Sequence, residues 1–381
     1  MLTREKLAQI EQERLAPYAA KSAGTRGRKY PGEEHPYRSA YQKDRDRIIH
    51  TTAFRRLEYK TQVFVNYEGD YYRTRLTHTL EATQIARTIA RAMRLNEDLA
   101  EAITLVHDLG HTPFGHSGEE TLHRLMTSHG GFNHTEQTLR IVEILECRYP
   151  NFQGLNLTWE VREGIVKHET DYDAADASDY EPHLRPTLEA QVVNVADEIA
   201  YNTHDLDDGL RSGLITPDDL EAEGVTLWKE ATATISTPFS ELARHRLIRY
   251  LINREVTDLI HATVHRLQRA GIASMDDVRN HPTPLVGYSD ELAEHNRELK
   301  SFLYRKMYRH YRVVRMAVKA QRFLTELFEA YVSEPQQLPT ETQRRLDDSS
   351  LHRVACDYIA GMTDRYALQE HSRLYDPWQR P

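Results

Sequence analysis

The chain has 381 residues, of which 39% are hydrophobic and 28% are charged, and its formal net charge is −9. This length and hydrophobic content suffice for a large buried core and exclude a disordered chain. The acidic balance argues against a dedicated nucleic-acid coat protein, and the only cysteines, Cys147 and Cys356, are too few for a disulfide framework or a thiolate zinc site.

Residues 1–45 are predicted to form an N-terminal helix and an irregular arm. The first residues are charged and helical in pattern, unlike a secretion signal. Residues 21–41 are rich in Gly, Pro, Lys and Tyr, which indicates an irregular segment that crosses the surface or a subunit boundary. No apolar run approaches the ~20 residues needed to span a bilayer. We therefore expect no membrane partner, and the small number of cysteines leads us to expect a reduced, cytoplasmic setting.

The remaining chain shows apolar residues at helical spacing and no sustained alternation, so an all-α fold is predicted. Residues 46–215 are expected to form the functional core, and residues 216–381 a C-terminal helical elaboration of the same domain. Residues 169–182 are acidic and irregular, but they lack the ligand order of an EF-hand and are predicted to be a solvated loop. Two helix faces are marked by Ala82, Ile85, Ala86, Ile89, Ala90 and Met93, and by Leu99, Ala102, Ile103 and Val106.

The most informative segment is VHDLGHTPFGHSGE, which runs from Val106 to Glu119. A predicted helix presents His107 and Asp108 at its end, where an imidazole nitrogen and a carboxylate oxygen can reach one cation. Exposed His-Asp pairs are common, so this pair alone is a weak signal. A zincin-like protease is excluded, because its motif needs a glutamate after the first histidine, and Asp108 stands there.

Two further polar residues lie on apolar helix faces. His78 shares a face with Ala82 and Ile85, and Asp197 follows the run QVVNVA. A lone histidine in such a place is usually a hydrogen-bonded core residue, but a carboxylate there is seldom buried without a partner or a metal. We therefore predict one divalent metal site with four ligands and vacant positions for water and substrate. The predicted ligands are His78, His107, Asp108 and Asp197.

Three strings carry a family resemblance: RLTHTLEA, HDLGHTPFGHSGE and NVADEIAYNTHDLDDG. The order His, His-Asp, Asp resembles the HD phosphohydrolase superfamily, and the longer strings resemble its bacterial dGTPase branch. The resemblance implies an all-α HD-domain fold with additional C-terminal helices. It also implies hydrolysis of a deoxynucleoside triphosphate (dNTP) to deoxynucleoside and inorganic triphosphate, with Mg, Mn, Fe, Co or Zn as the divalent ion.

The resemblance also implies catalytic residues beside the metal. His116 and Glu119 are three residues apart and match a catalytic pair, in which His116 handles a proton and Glu119 orients its ring. The alternative is that Glu119 is only a favourable charge in a first helical turn. His134, in GGFNHTEQ, resembles a proton donor to the leaving sugar oxygen, and His111 resembles a phosphate-contacting position.

Other matches imply contacts to the substrate. Arg75 lies one helical turn before His78 and would bind the triphosphate, for which a guanidinium is well shaped. Tyr201 and Asp205 follow Asp197 by four and eight residues, so one helix face would present a metal ligand, a ring for the sugar and a carboxylate for the 3′-hydroxyl.

Two further positions match residues around the sugar, and a third departs from a residue that reaches the substrate. Gln62 resembles a second residue that meets the 3′-hydroxyl, and Tyr308 resembles one that closes against C2′ and excludes ribonucleotides. Lys300 stands where the mammalian relative carries an arginine that reaches the substrate. Each of these residues alone would pass for ordinary packing or a solvated face.

A basic segment lies between Arg305 and Arg322. It has seven Lys or Arg residues and tyrosines at 308 and 311, and Tyr304 directly precedes it. As a stripe along a helix it could bind triphosphates, a regulatory dNTP or single-stranded nucleic acid. The alternative is a helix paired with the abundant acidic residues. With the N-terminal arm, this segment leads us to expect a homo-oligomer that responds to nucleotides.

Two other functions are consistent with the sequence. One is a different HD phosphohydrolase, such as a nucleotidase acting on monophosphates. The other is a catalytically idle nucleotide sensor or nucleic-acid-binding HD protein, against which the retained ligand set and His116 argue.

Overall fold

The computed structural model describes residues 1–62, 72–168 and 176–380. Across these residues the regular structure is helical, and β-structure is limited to isolated bridges such as that between Arg28 and Thr158. The predicted all-α fold is confirmed. No helix within the described ranges is long and apolar enough to cross a membrane. Of the predicted acidic loop, residues 169–175 lie outside the described part.

The α-helices follow one another along the chain. They are α1 (Arg4–Arg14), α2 (Ala40–Ile49), α3 (Thr52–Arg56), α4 (Arg75–Ala92), α5 (Glu97–His107), α6 (Gly115–Leu125), α7 (His134–Arg140), α8 (Trp159–Val166), α9 (Leu188–Ser212), α10 (Pro217–Ala222), α11 (Thr226–Thr232), α12 (Glu241–Arg269), α13 (Met275–Arg279), α14 (Asp290–Leu303), α15 (Tyr311–Ser333), α16 (Thr340–Gln343), α17 (Leu351–Ala360) and α18 (Asp364–Tyr375).

The chain divides into two compact units, each assembled from three segments. The first unit contains Met1–Ile49, His78–Val106 and Asn156–His310. The second contains His50–Thr77, His107–Leu155 and Tyr311–Pro381. The domain limits predicted at residues 45 and 215 stay predictions.

The first unit is organised around the long helix α9. The Thr187 side chain accepts from the amide of Ala190 and begins the helix, and Gly213 ends it with φ 70°, a conformation that favours glycine. Helices α12 and α14 pack against α9. The buried apolar face of α9 includes Val192, Val193, Ala196, Ile199 and Ala200. Burial of such side chains, at about 1.5–3 kcal/mol for each large one, stabilises a helix whose other side can then carry polar groups.

The second unit is built on α15, which packs against α6, α17 and α18. Its core is a cluster of buried side chains that includes Leu122, Leu324 and Phe328. Phe114, the residue before α6, belongs to the same cluster. The segment that follows the His-Asp pair is therefore tied to the C-terminal helices by apolar packing.

The predicted basic stripe is not one helix. Residues Tyr304–Tyr308 form a π-helical turn, and α15 begins at Tyr311. Arg305 lies 2.6 Å from Glu223, and Arg322 lies 2.8 Å from Glu326. Pairing with acidic residues, the alternative left open by the sequence, is thus present at both ends of the segment.

Candidate functional site

The turn after α5 carries the predicted metal ligands of the second unit. The amide of Gly110 donates to Thr138 Oγ1 at 2.9 Å, and this hydroxyl donates to the carbonyl of His107 at 3.0 Å. A Cβ atom on Gly110 would overlap the carbonyl oxygen of His134, so only glycine fits. Helix α7 therefore fixes the turn that presents His107 and Asp108.

Asp108 is a buried carboxylate surrounded by cationic or protonatable groups. Its Oδ1 lies 3.0 Å from the Arg75 guanidinium, 3.1 Å from His111 Nε2 and 3.5 Å from His107 Nε2. Burial would raise the pKa of Asp108, but Arg75 and the two histidines outweigh it and hold this pKa well below its usual value. Oδ2 is buried and has no hydrogen-bond partner among the described residues. An ionised oxygen left in this way suits a cation.

The first unit holds the other two predicted ligands side by side. His78 Nε2, on α4, lies 2.8 Å from Asp197 Oδ1, on α9, and both side chains are buried. His168 Nε2 lies 3.6 Å from the other oxygen of Asp197, and His168 Nδ1 lies 2.7 Å from Asn194 Oδ1. Sequence reasoning did not select His168, which follows α8 and belongs to no motif. Its position two residues after the apolar end of that helix is a signal that the sequence offers.

Glu119 is the centre of a histidine cluster in the second unit. His134 donates to Glu119 Oε1 twice, from its amide at 2.7 Å and from Nδ1 at 2.9 Å. His116 Nδ1 lies 3.5 Å from Oε2, and His111 Nδ1 lies 3.9 Å from the same oxygen. The rings of His111 and His134 stack, with centroids 3.9 Å apart. The side chain of His116 is 72% exposed, and the other three are buried.

The electrostatics of this cluster favour an ionised Glu119 and a neutral His111. Burial would raise the pKa of Glu119, but the neighbouring His134, His116 and His111 outweigh it and keep this pKa well below the usual value. Burial lowers the pKa of His111, with Arg75 and His134 acting in the same direction, so the His111 ring is neutral near pH 7. The arrangement is suited to moving a proton at His116, next to a fixed negative charge.

One face of α9 carries the predicted sugar-binding residues. Asp197, Tyr201 and Asp205 are spaced by four residues within this helix, as the sequence predicted. The Tyr308 hydroxyl, in the π-helical turn, donates to Asp205 Oδ2. This hydrogen bond fixes the Tyr308 side chain beside Asp205 and was not predicted.

Lys300 lies near Tyr201 but is engaged by an acidic residue. Its Nζ lies 3.0 Å from Glu198 Oε1 and 5.9 Å from the centroid of the Tyr201 ring. Asn296 donates to the same Glu198 oxygen at 3.1 Å, and Asn202 donates to Asn296 at 3.0 Å. A polar network thus holds the lysine beside the tyrosine. The predicted contact of Lys300 with substrate stays a prediction.

Gln62 lies at the edge of the described chain, and the residues that follow it, 63–71, are outside that part. The Gln62 carbonyl oxygen and the Arg75 Nη2 atom are 3.5 Å and 3.4 Å from the position of a Cβ on Gly115. Gln62, Arg75 and the first residue of α6 are therefore neighbours within the second unit.

Comparison with known proteins agrees with this arrangement. The HD domain family matches residues 75–202, and the Phosphohydrolase-associated domain family matches residues 286–373. A deoxyguanosinetriphosphate triphosphohydrolase-like protein of Geobacter sulfurreducens is 54% identical over 386 residues, with all of both chains covered. Those of Geobacter metallireducens and Thiobacillus denitrificans are 54% and 51% identical, with 97% and 95% of this chain and 97% of each relative covered.

This chain belongs to the deoxyguanosinetriphosphate triphosphohydrolase-like family. It is accordingly an HD-domain phosphohydrolase, and the resemblance read from the sequence is confirmed. The HD match begins at Arg75 and contains all four predicted metal ligands, while the phosphohydrolase-associated match contains Lys300 and Tyr308. HD domains are metal-dependent, and the second unit also holds His111, Glu119 and His134 with ligand atoms within 4.8 Å of one another.

Proposed function

We propose that this dGTPase-like chain hydrolyses a dNTP to the deoxynucleoside and inorganic triphosphate. The observation that carries the proposal is the second unit's polar cluster, in which an exposed histidine adjoins a buried, ionised Glu119 close to the Arg75–Asp108 pair. The names of the relatives, which the chain matches over its full length, supply the substrate class.

The reaction needs two proton movements, for which the chain has two histidines. Water attacks the α-phosphorus, a new P–O bond forms, and the bond to the sugar O5′ breaks. We infer that His116 accepts the proton from the water, because it is exposed and adjoins Glu119 Oε2. His134 is inferred to donate a proton to the departing O5′. Its Nδ1 donates to Glu119 at 2.9 Å, and this hydrogen bond orients the ring.

The triphosphate is assigned to Arg75 and His111. Both side chains are buried next to Asp108, which fixes their orientation. Arg75 brings a permanent positive charge for the phosphate oxygens, and the His111 ring is proposed to contact them beside it.

A divalent ion is assigned to His78, His107, Asp108 and Asp197. Support comes from inside each unit: the buried His78–Asp197 contact in one, and the Asp108 oxygen without a hydrogen-bond partner among the described residues in the other. Imidazole and carboxylate ligands suit several divalent metals, so the donor set accommodates Mg, Mn, Fe, Co or Zn. When bound, the ion polarises the α-phosphate and lowers the pKa of a water.

The sugar is assigned to the polar face of α9 and to Tyr308. The Tyr201 ring would pack on the sugar, and Asp205, with Gln62, would accept from the 3′-hydroxyl. Because Tyr308 is held by Asp205, its ring would crowd C2′ and exclude a ribose hydroxyl.

We further propose a cytoplasmic homo-oligomer whose activity responds to dNTPs. The irregular N-terminal arm and the basic residues of 305–322 support it, and single-stranded nucleic acid is an alternative ligand for the latter. Light scattering combined with activity measurements in dNTP mixtures tests this. A monomer that is fully active and indifferent to added dNTPs would refute it.

Product analysis tests the proposed reaction. Metal-loaded protein is incubated with each dNTP, alone and mixed, and the products are separated by chromatography. Deoxynucleoside with inorganic triphosphate supports the proposal, whereas orthophosphate released from monophosphates supports a nucleotidase. Binding of nucleotides without any product would identify a sensor.

A further inference from the structure

A buried carboxylate from the C-terminal helices is attached to the loop that carries the catalytic histidines. Asp364 is the first residue of α18, and its Oδ1 accepts from the amide of Phe114 at 2.9 Å. Its Oδ2 accepts from both the amide of Thr61, at 2.9 Å, and the Thr61 hydroxyl. Three donors from two distant segments thus converge on one side chain that is 3% exposed.

Phe114 has an unfavourable backbone conformation. Its φ is 63° and its ψ 25°, in the left-handed region, which costs a non-glycine residue about 1–2 kcal/mol. Such a residue persists only where the surroundings determine it. The Phe114 ring is buried in the core of the second unit and its amide is held by Asp364. These contacts set the direction in which α6, with His116 and Glu119, leaves the turn.

Lys60 makes a second connection between the same segments. It is buried, and its Nζ donates to the carbonyl of His111 and, at 2.9 Å, to the carbonyl of Ala360, the last residue of α17. The Lys60 carbonyl in turn accepts from the amide of Arg75 at 3.2 Å. The segment from His111 to Phe114 is therefore fixed at both of its ends to the chain between Ala360 and Asp364.

We propose that Asp364 is a positioning residue for the hydrolytic reaction, acting through Phe114 and Thr61 on the part of the loop that leads into His116. The inference rests on the proposed function. Asp364 has no assigned contact with substrate or metal, and its three hydrogen bonds all go to the segments flanking the proposed phosphate and proton-transfer residues. A displacement of about 1 Å at a reacting group can lower turnover by about 100-fold.

The kinetic test compares Asp364→Ala and Asp364→Asn with the control Glu370→Gln. Glu370 is a buried acid on the same helix, and it accepts from the Tyr331 hydroxyl at 3.0 Å and from Arg373 at 3.3 Å, not from the loop. We expect Asp364→Ala to lower kcat by about 10- to 100-fold with KM changed by less than about threefold, because the carbonyl of His111 stays held by Lys60. Asp364→Asn, which keeps an acceptor for Phe114, should lose less, and Glu370→Gln should retain wild-type kcat.

A double-variant comparison separates positioning from general loss of stability. In a His116→Ala background, Asp364→Ala should lower kcat by less than about threefold, since the residue it positions is already gone. Equal fold losses in both backgrounds would overturn the proposal. If Asp364→Ala does not fold, Thr61→Val removes one of the three hydrogen bonds at similar volume and is tested in the same two backgrounds.

Amide hydrogen exchange of the full chain without substrate tests the position of the loop independently of the hydrolytic reaction. Asp364→Ala should increase amide exchange at residues 111–116, and Glu370→Gln should not. Unchanged exchange in this loop would overturn the proposal even if activity falls. A wild-type protein that releases no triphosphate would refute the proposed function, whereas the exchange result would still decide whether Asp364 holds the loop.

Discussion

Tyr308 offers a test of how the sugar is recognised, because its ring and its hydroxyl have separable roles. The hydroxyl donates to Asp205, whereas the ring is the group expected to crowd C2′. Tyr308→Phe removes only the hydrogen bond, and Tyr308→Ala removes the ring as well. We expect both variants to lower activity towards dGTP, but only Tyr308→Ala to narrow the preference for dGTP over GTP.

The size of the effect follows from the partner of the hydroxyl. Asp205 is 4% exposed, and a hydrogen bond to a charged group contributes about 1.5–3 kcal/mol. If this bond orients Asp205 for the 3′-hydroxyl, Tyr308→Phe should lower kcat/KM for dGTP and GTP alike, by about 10- to 100-fold. Tyr308→Ala should additionally reduce the dGTP-to-GTP ratio by at least about tenfold, since the clash with the 2′-hydroxyl is relieved.

The assay measures kcat/KM for dGTP and GTP at one metal concentration. Tyr304→Phe is the matched control, because Tyr304 lies in the same π-helical turn, is exposed, and its hydroxyl accepts from the Arg309 guanidinium at 3.1 Å. An undiminished ratio in Tyr308→Ala would show that the sugar is read elsewhere. A ratio that falls equally in Tyr308→Phe would assign discrimination to the hydroxyl and refute the steric explanation.

Three further outcomes are expected. His116→Ala should lower kcat by about 100-fold or more while metal content is unchanged; unchanged turnover would remove His116 from the mechanism. The double variant His107→Ala, Asp108→Ala should lose both metal and activity, and full metal occupancy would contradict the ligand assignment. Burial raises the pKa of Glu189 to about 7 from 4.5, so the folded state binds more protons between these values and the free energy of unfolding falls as pH rises through them. Glu189→Gln should abolish this fall, about 3 kcal/mol, in denaturant titrations at pH 4.5 and 8; an identical pH dependence in both proteins would refute it.

Helical periodicity predicted the parts of the candidate site that depend on a single helix. The face shared by Asp197, Tyr201 and Asp205 needs only the spacing of α9, and the placement of Arg75 one turn before His78 needs only that of α4. The contact between His78 and Asp197, which are 119 residues apart, was expected from a weaker rule. Two polar residues on apolar helix faces cost less free energy when they share a partner than when each is buried without one.

Contacts that depend on connections between helices were beyond this reasoning. His168 lies beside Asp197, and Glu198 holds Lys300, yet neither pairing has a sequence period that would identify it. The prediction of one basic stripe along a single helix was wrong for a different reason. Helical spacing was extrapolated across residues 304–311, where a π-helical turn and a new helix start change the direction of every later side chain.

Asp364 shows why a residue with a complete local explanation is easily overlooked. In the sequence it follows Thr363, whose side chain caps α18, and an acid in a first helical turn is favourable by itself. These local features explain an acid at position 364 and do not indicate a second role. In the structure, however, Asp364 accepts from the amide of Phe114, 250 residues earlier. The identity of Phe114 does not indicate its positive φ either, because a positive φ is expected at glycine and is uncommon at phenylalanine. Each residue looks ordinary in the sequence, because the strained backbone of Phe114 and the hydrogen bond from its amide to Asp364 are visible only in the structure. Their pairing indicates that the C-terminal helices help to shape the loop that carries His116.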